Sequence, residues 1–213
     1  MILSAMLLAG EKSRRMGMDK ATVVIAGEPL WQRQLGILRD LRPVSLWVSA
    51  SSIPPWCTPD IPIVADQPPS RGPLSGVAAG LRCLQTSHLL VLAIDLPRMR
   101  PDHLLKLWHL AGPGWGIIPR NGDHLEPLCA IYPLAAAAVV EESLRGLRIS
   151  VQDFGRKPQL CSQVKFYDLT PGETPMYLNM NTPADVPFEV APKRPPSRGC
   201  RRPLAFRGNS FGY

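Results

Sequence analysis

The chain has 213 residues, 45% of them hydrophobic, and a formal net charge of +7, a size and apolarity that predict one sizeable core in a single domain with room for an appendage. Six of the seven net positive charges fall in residues 192–213, where Lys193, Arg194, Arg198, Arg201, Arg202 and Arg207 stand without an acid, so the basicity belongs to a tail and the body is near neutral. No apolar run approaches the ~20 residues that span a bilayer, no basic leader precedes the first apolar run, and Cys57, Cys83, Cys129, Cys161 and Cys200 form no Cys-x-x-Cys pair, which argues against a membrane anchor, a disulfide framework and a structural zinc site. A cytoplasmic chain is expected, with most cysteines acting as small buried hydrophobes.

In chain order, short apolar runs predict strands at residues 2–8, 44–49, 61–64, 89–94, 116–119, 128–132 and 164–168. Amphipathic runs predict helices at 31–41, 74–84, 101–110 and 134–144, the last rich in Ala. The alternation is a βαβ rhythm, and right-handed crossovers turn it into an α/β fold: a mostly parallel, doubly wound, Rossmann-like sheet with helices on both faces. Residues 68–73 and 113–116 punctuate it as loops. The domain is expected to span residues 1–190, and the Pro/Arg-rich stretch 191–213 lacks both apolar period and helix formers and reads as disordered. That tail could draw RNA, DNA or an acidic partner electrostatically; read from composition it is a solvated appendage, and no nucleic-acid partner is expected.

The first strand runs into Leu8-Ala9-Gly10-Glu11-Lys12-Ser13-Arg14-Arg15-Met16-Gly17-Met18-Asp19-Lys20, a Gly-punctuated loop with four cations. A loop leaving a buried strand opens onto the crevice where open α/β sheets bind ligands. Backbone N–H groups converge where side chains are small, and Arg15 and Lys20 supply the charge that holds phosphates; the alternative is an ordinary solvated turn. Asp95 closes the apolar run 89–94 with Pro97 behind it, which suits either Mg2+ at the crevice edge or an N-cap of the next helix. Asp66, after the strand at 61–64, either contacts nucleotide hydroxyls or starts a turn before Pro68. Asn179 and Asn181 share one side of an extended segment, as ligand-binding amides or as Asx-turn caps. Gly72, Gly76 and Gly80 serve either a binding loop or close helix packing. The four histidines show no metal-ligand spacing, and His124, beside Glu126-Pro127, is the one placed where a second substrate would approach.

The first loop resembles the signature Leu-Ala-Gly-Gly-x-Ser-x-Arg-Met-Gly-x-Asp-Lys of the molybdenum cofactor guanylyltransferase family, with Glu11 in place of its second Gly, so that a carboxylate turned inward would repel a triphosphate. Three further segments are similar to family motifs in the same order: Asp66 followed by Gly72-Pro73-Leu74-Ser75-Gly76, Leu89 through Asp95-Leu96-Pro97, and Asn179-Met180-Asn181-Thr182-Pro183-Ala184-Asp185. The resemblance covers roughly residues 1–186. It implies a nucleotidyltransferase that moves GMP from GTP onto the terminal phosphate of molybdopterin. It also implies Mg2+ on Asp95, catalytic roles for Arg15, Lys20 and Asp95, and nucleotide contacts from Leu8, Ala9, Gly10, Lys20, Ser51, Asp66 and Asp95, with acceptor contacts from Asn179 and Asn181. Acceptor molybdoenzymes or cofactor-insertion proteins would be its partners, and a monomer or weak oligomer is expected. Two alternatives stay open: a cytidylyltransferase of the same fold, and a domain that binds nucleotide or nucleic acid without catalysis.

Overall fold

The computed structural model describes residues 1–9, 19–65, 72–145, 150–182 and 185. At its centre lies β1 (Leu3–Leu8), buried at every position. On one side of β1 run β4 (Ser45–Ala50) and β5 (Ile63–Ala65), and on the other β6 (His88–Ala93), β9 (Cys129–Pro133), β7 (Gly116–Asn121) and β10 (Val164–Asp168), with β8 (His124–Leu125) turning back on β7. β1 pairs in parallel with β4 and β6, β4 with β5, and β7 with β10. The expected strands and the mostly parallel sheet are all present.

Two strands depart from the parallel pattern: β9 runs antiparallel to both β6 and β7, and the short β8 runs antiparallel to β7. β7 and β9 are joined by the short β8 return instead of a helix, and a parallel pair needs a crossover of a dozen or more residues. Another element escapes the apolar pattern altogether. β2 (Val24–Ile25) and β3 (Glu28–Pro29) form a hairpin whose turn places Ala26 at φ 51° and Gly27 at φ 82°, the primed geometry that suits a right-twisted ribbon but that Ala seldom adopts. Short helices α5 (Val151–Gly155) and α6 (Pro158–Cys161) likewise lack enough periodicity to be read in advance.

Both sheet faces are covered, which explains why β1 is apolar apart from Ser4, whose buried hydroxyl bonds the Thr86 hydroxyl at 2.9 Å. Ala5 and Leu7 join the core under α1 (Leu30–Asp40) and α3 (Pro101–Leu110), while Met6 and Leu8 join the core under α2 (Pro73–Arg82) and α4 (Ala136–Arg145). Gly76 and Gly80 of α2 serve this packing: a Cβ on Gly76 would stand 2.5 Å from Ser49 Oγ, and one on Gly80 2.6 Å from Met6 Cε. Of the described cysteines only Cys129 is buried; Cys57 and Cys161 are half-buried and Cys83 is exposed, because Cys83 caps the solvent end of α2 and Cys57 lies in a loop. The expectations for the tail and for the domain boundary at residue 190 fall outside the described residues.

Because β1, β4 and β6 are parallel, their C-terminal ends open on one edge, with Leu8 level with Ser49 and Ala93. Across the sheet the tightest approach is at Gly116, where an added Cβ would collide with the Ile131 carbonyl oxygen. Gly116→Ala is therefore expected to destabilise the fold by about 3 kcal/mol, and Gly80→Ala by less, since the Met6 thioether it meets can turn aside. Urea unfolding midpoints measure both; equal midpoints for the two variants would contradict this packing.

Candidate active site

Asp19 begins the site. Its Oδ1 accepts the Ala21 N–H at 3.0 Å and caps a 3-10 turn at Lys20–Thr22, and its Oδ2 accepts the Trp56 indole N–H at 2.9 Å. Trp56, from the loop after β4, is in turn stacked on Trp31 of α1 with ring centroids 5.4 Å apart. This fixes where Lys20 begins. Lys20 is 7% exposed, and its ammonium donates to Asp95 Oδ2 at 3.2 Å and to Asn181 Oδ1 at 2.9 Å. A buried ammonium without such partners would be strongly unfavourable, so three distant segments are tied at one charge.

Each partner is itself held. Asp95 lies two residues past β6; the Ile94 N–H bonds the Leu8 carbonyl at 3.0 Å, and the Asp95 carbonyl accepts the Met180 N–H at 2.8 Å. Met180 is fully buried, which turns Asn179 and Asn181 outward. Asp185 Oδ2 receives the backbone N–H groups of Asn181 and Thr182 at 2.9 and 2.7 Å, together with the Thr182 hydroxyl. Asp185 thus makes the local turn, and the Asn181 amide is left for Lys20. Asp95 does not cap α3, whose N-cap is Arg100.

Leu8 and Ala9 end β1 beside this cluster, with the Ala9 N–H bonded to the Ser49 carbonyl at 2.9 Å. Ser51 is exposed just past β4 on the same edge, and Asn179 is exposed two residues from Asn181. Gly10, Glu11, Arg15 and Asp66 lie outside the described residues. Within the described part, the structure therefore brings Lys20, Asp95 and Asn181 into direct contact and sets Leu8, Ala9, Ser51 and Asn179 around them.

The donor set suits a hard cation: a carboxylate oxygen and an amide oxygen already converge on one positive centre, and the Asp95 side chain keeps 16% of its surface exposed. Mg2+ takes one or two carboxylates and completes its shell with water and phosphate. Among the described residues no three His, Cys, Asp or Glu side chains gather into a metal cage.

Glu126 is a member of the site that sequence reasoning passed over. The antiparallel register of β6 with β9 runs from His88 opposite Pro133 to Leu92 opposite Cys129, and the Ala93 N–H still bonds the Leu128 carbonyl at 2.8 Å. Before Leu128 the chain turns, the Glu126 carbonyl accepting the Cys129 N–H at 3.1 Å and the Glu126 N–H bonding the Pro119 carbonyl at 2.8 Å, and this turn leaves Glu126 close enough to Asp95 to feel its charge. The Glu126 side chain is 18% exposed, with His124 Nε2 at 3.8 Å from its Oε1. Burial, and then the Asp95 charge, push its carboxyl up to about 7. The acid of Glu126-Pro127, at the start of an otherwise apolar run, was the available signal, but it points at Asp95 only once β9 is known to be antiparallel.

A carboxyl raised from 4.5 to about 7 on folding binds more protons in the folded than in the unfolded state between those values, so its contribution to stability falls as pH rises across that window. Buried His88 and His103, lowered chiefly by burial, act in the opposite sense, but they are common to wild type and variant. Metal-free Glu126→Gln is therefore expected to gain stability relative to wild type between pH 5 and pH 8, read as the difference in urea midpoints. A difference independent of pH would contradict the placement of Glu126.

Residues 5–156 match the family model described as MobA-like NTP transferase domain. A probable molybdenum cofactor guanylyltransferase from Opitutus terrae is 32% identical over 186 residues, covering 86% of this chain and 92% of that protein. A molybdenum cofactor guanylyltransferase from Cereibacter sphaeroides is 32% identical over 194 residues, covering 87% and 94%. Among solved structures, molybdopterin-guanine dinucleotide biosynthesis protein A from Archaeoglobus fulgidus superposes with a TM-score of 0.65 at 25% identity, over 86% of this chain and 94% of that one. With the sheet, the crevice edge and the Lys20–Asp95–Asn181 contact all in place, this chain belongs to the MobA-like NTP transferase family.

Proposed function

We propose that this chain transfers GMP from GTP to the terminal phosphate of the molybdopterin-type molybdenum cofactor and releases pyrophosphate. The observation that carries this reading is the Lys20 ammonium held between Asp95 and Asn181, one residue from each of three motifs, at the open edge of a parallel sheet. The relatives named above supply the identity of donor and acceptor.

The reaction brings an anionic acceptor phosphate to an anionic α-phosphate, so the obstacle is like charge and orientation. An acceptor oxygen attacks the α-phosphorus, the bond from that phosphorus to the oxygen bridging to the β-phosphate breaks, and pyrophosphate departs with the bonding pair. The acceptor phosphate is already ionised near neutral pH, so no side chain has to remove a proton from it. Lys20 exchanges its contact with Asp95 for phosphate oxygens as the nucleotide enters, and Arg15 neutralises the triphosphate from the first loop. Leu8, Ala9 and Gly10 present backbone to the nucleotide, Ser51 and Asp66 border it, and Asn179 and Asn181 face the acceptor. Mg2+ at Asp95, when bound, supplies further neutralisation of the triphosphate.

In this reading residues 1–190 form the nucleotidyltransferase domain, and the basic stretch 191–213 has no part in the reaction. The enzyme works in the cytoplasm as a monomer or weak oligomer and passes its product to molybdoenzymes or their cofactor-insertion proteins. No helix among the described residues is long and apolar enough to cross a membrane.

Pyrophosphate release measured with molybdopterin and each of GTP, CTP, ATP and UTP tests the proposal. Turnover with GTP is expected; turnover with CTP in its place would overturn the base assignment, and none with any triphosphate would overturn the enzyme. Lys20→Ala and Arg15→Ala are each expected to lower kcat/KM by an amount equivalent to about 2–4 kcal/mol. Near-wild-type kcat/KM in both would remove the charge argument.

A further inference from the structure

Asn181 reaches Lys20 from an unexpected direction. The chain leaves the edge strand β10 at Asp168, and in the order β10-β7-β9-β6 it has to return across three strand spacings to reach Asp95, roughly 14 Å at the usual inter-strand distance. It does so as a strap, residues 169–182, with only one 3-10 turn at Thr174–Tyr177 for internal support. Something outside the strap has to hold it in register with the site.

Two anchors do this. The first is Glu173, whose carboxylate receives Lys106 Nζ at 2.8 Å, the Tyr167 hydroxyl at 2.8 Å, and the N–H and hydroxyl of Thr170, each at 2.9 Å. Burial pushes this carboxyl up, but the bonds from Lys106, Thr170 and Tyr167 outweigh it and hold it down at about 2. The second anchor is four residues from Asn181. The Tyr177 hydroxyl lies 2.7 Å from His103 Nε2 on α3; the phenol is 7% exposed and the imidazole 4%. Glu173 Oε1 stands 3.4 Å from the other ring nitrogen, His103 Nδ1. That is too long for a full hydrogen bond, but an acceptor-only carboxylate on that side favours a proton on Nδ1. Nε2 is then the acceptor and Tyr177 donates. Buried Cys129 of β9, three residues from Glu126, belongs to the same core cluster as Tyr177.

Tyr177 therefore joins α3, β9 and the strap at a point just before Met180 and Asn181. We propose that Tyr177, held by His103, is a positioning residue for nucleotidyl transfer: it pins the strap so that the Met180 N–H meets the Asp95 carbonyl and Asn181 Oδ1 meets the Lys20 ammonium. It touches neither nucleotide nor acceptor and acts through Asn181 and Asp95. Its role in the reaction rests on the function proposed above, whereas its hold on the strap does not.

The test has two readouts. In hydrogen–deuterium exchange of the ligand-free full chain, Tyr177→Phe is expected to speed exchange of the Met180 amide about tenfold while amides of β1 and β6 keep their wild-type rates. Unchanged Met180 exchange overturns the pin. In turnover with GTP and molybdopterin, Tyr177→Phe is expected to lower kcat about tenfold, as a displacement well under 1 Å suffices to do, with the KM for GTP changed less than about threefold. In an Asn181→Ala background the same substitution is expected to lower kcat less than about twofold, because its effect passes through Asn181. An equal loss in both backgrounds, or none in the wild type, overturns the positioning role. Absent turnover of the wild type with any triphosphate would instead sink the proposed function and leave the exchange result standing. If Tyr177→Phe does not fold, the bond is read from its other end: His103→Gln, whose amide can still meet the phenol, should keep Met180 protected and His103→Leu should not. Identical exchange in those two variants overturns the pin.

Discussion

The site depends on one buried positive charge. Lys20 comes from the loop that follows the central strand, Asp95 from the end of the neighbouring strand, and Asn181 from a strap that crosses the sheet, and the ammonium joins them at hydrogen-bonding distance. A largely buried lysine is stable only while oxygens surround it. In the function proposed above, the same oxygens become available when a polyanion draws the ammonium away, so the contact is the resting form of the site.

What surrounds the charge follows from the sheet. Parallel β1, β4 and β6 put the residues after them on one edge, and the doubly covered core beneath gives that edge little freedom to move. The antiparallel β9 adds what a purely parallel sheet could not: its start returns to the same edge, and the turn before it brings Glu126 within reach of the Asp95 charge. The result is a small region rich in opposed charges, with a carboxyl that keeps its proton up to about 7, bordered by the Trp56–Asp19 bond on one side and the Tyr177–His103 bond on the other.

Much of this was legible in the residues. β1 read as a doubly buried strand because Ala5 and Leu7 face one core and Met6 and Leu8 the other, so that apolar residues fill both of its faces. Asp95, ending such a run before Pro97, read either as a crevice acid or as a helix cap, and the second reading falls because α3 is capped at Arg100. Four things were not legible. The turn at Ala26-Gly27 carries an Ala where composition gives no hint of positive φ. The direction of β9 depends on a connection whose shortness becomes meaningful only when its neighbours are known. Asn181 showed its outward alternation but not its partner, which lies 161 residues away and is brought near only by the strap. Tyr177 and His103, far apart in sequence and without a motif, gave no local signal at all.

The most direct test of the central claim is a crystal structure of the full chain with GTP and Mg2+. The account requires the triphosphate to lie at the edge formed by Leu8, Ser51 and Asp95, with the Lys20 ammonium moved from Asp95 onto phosphate oxygens. A triphosphate bound elsewhere, with Lys20 still paired to Asp95 and Asn181, would contradict it.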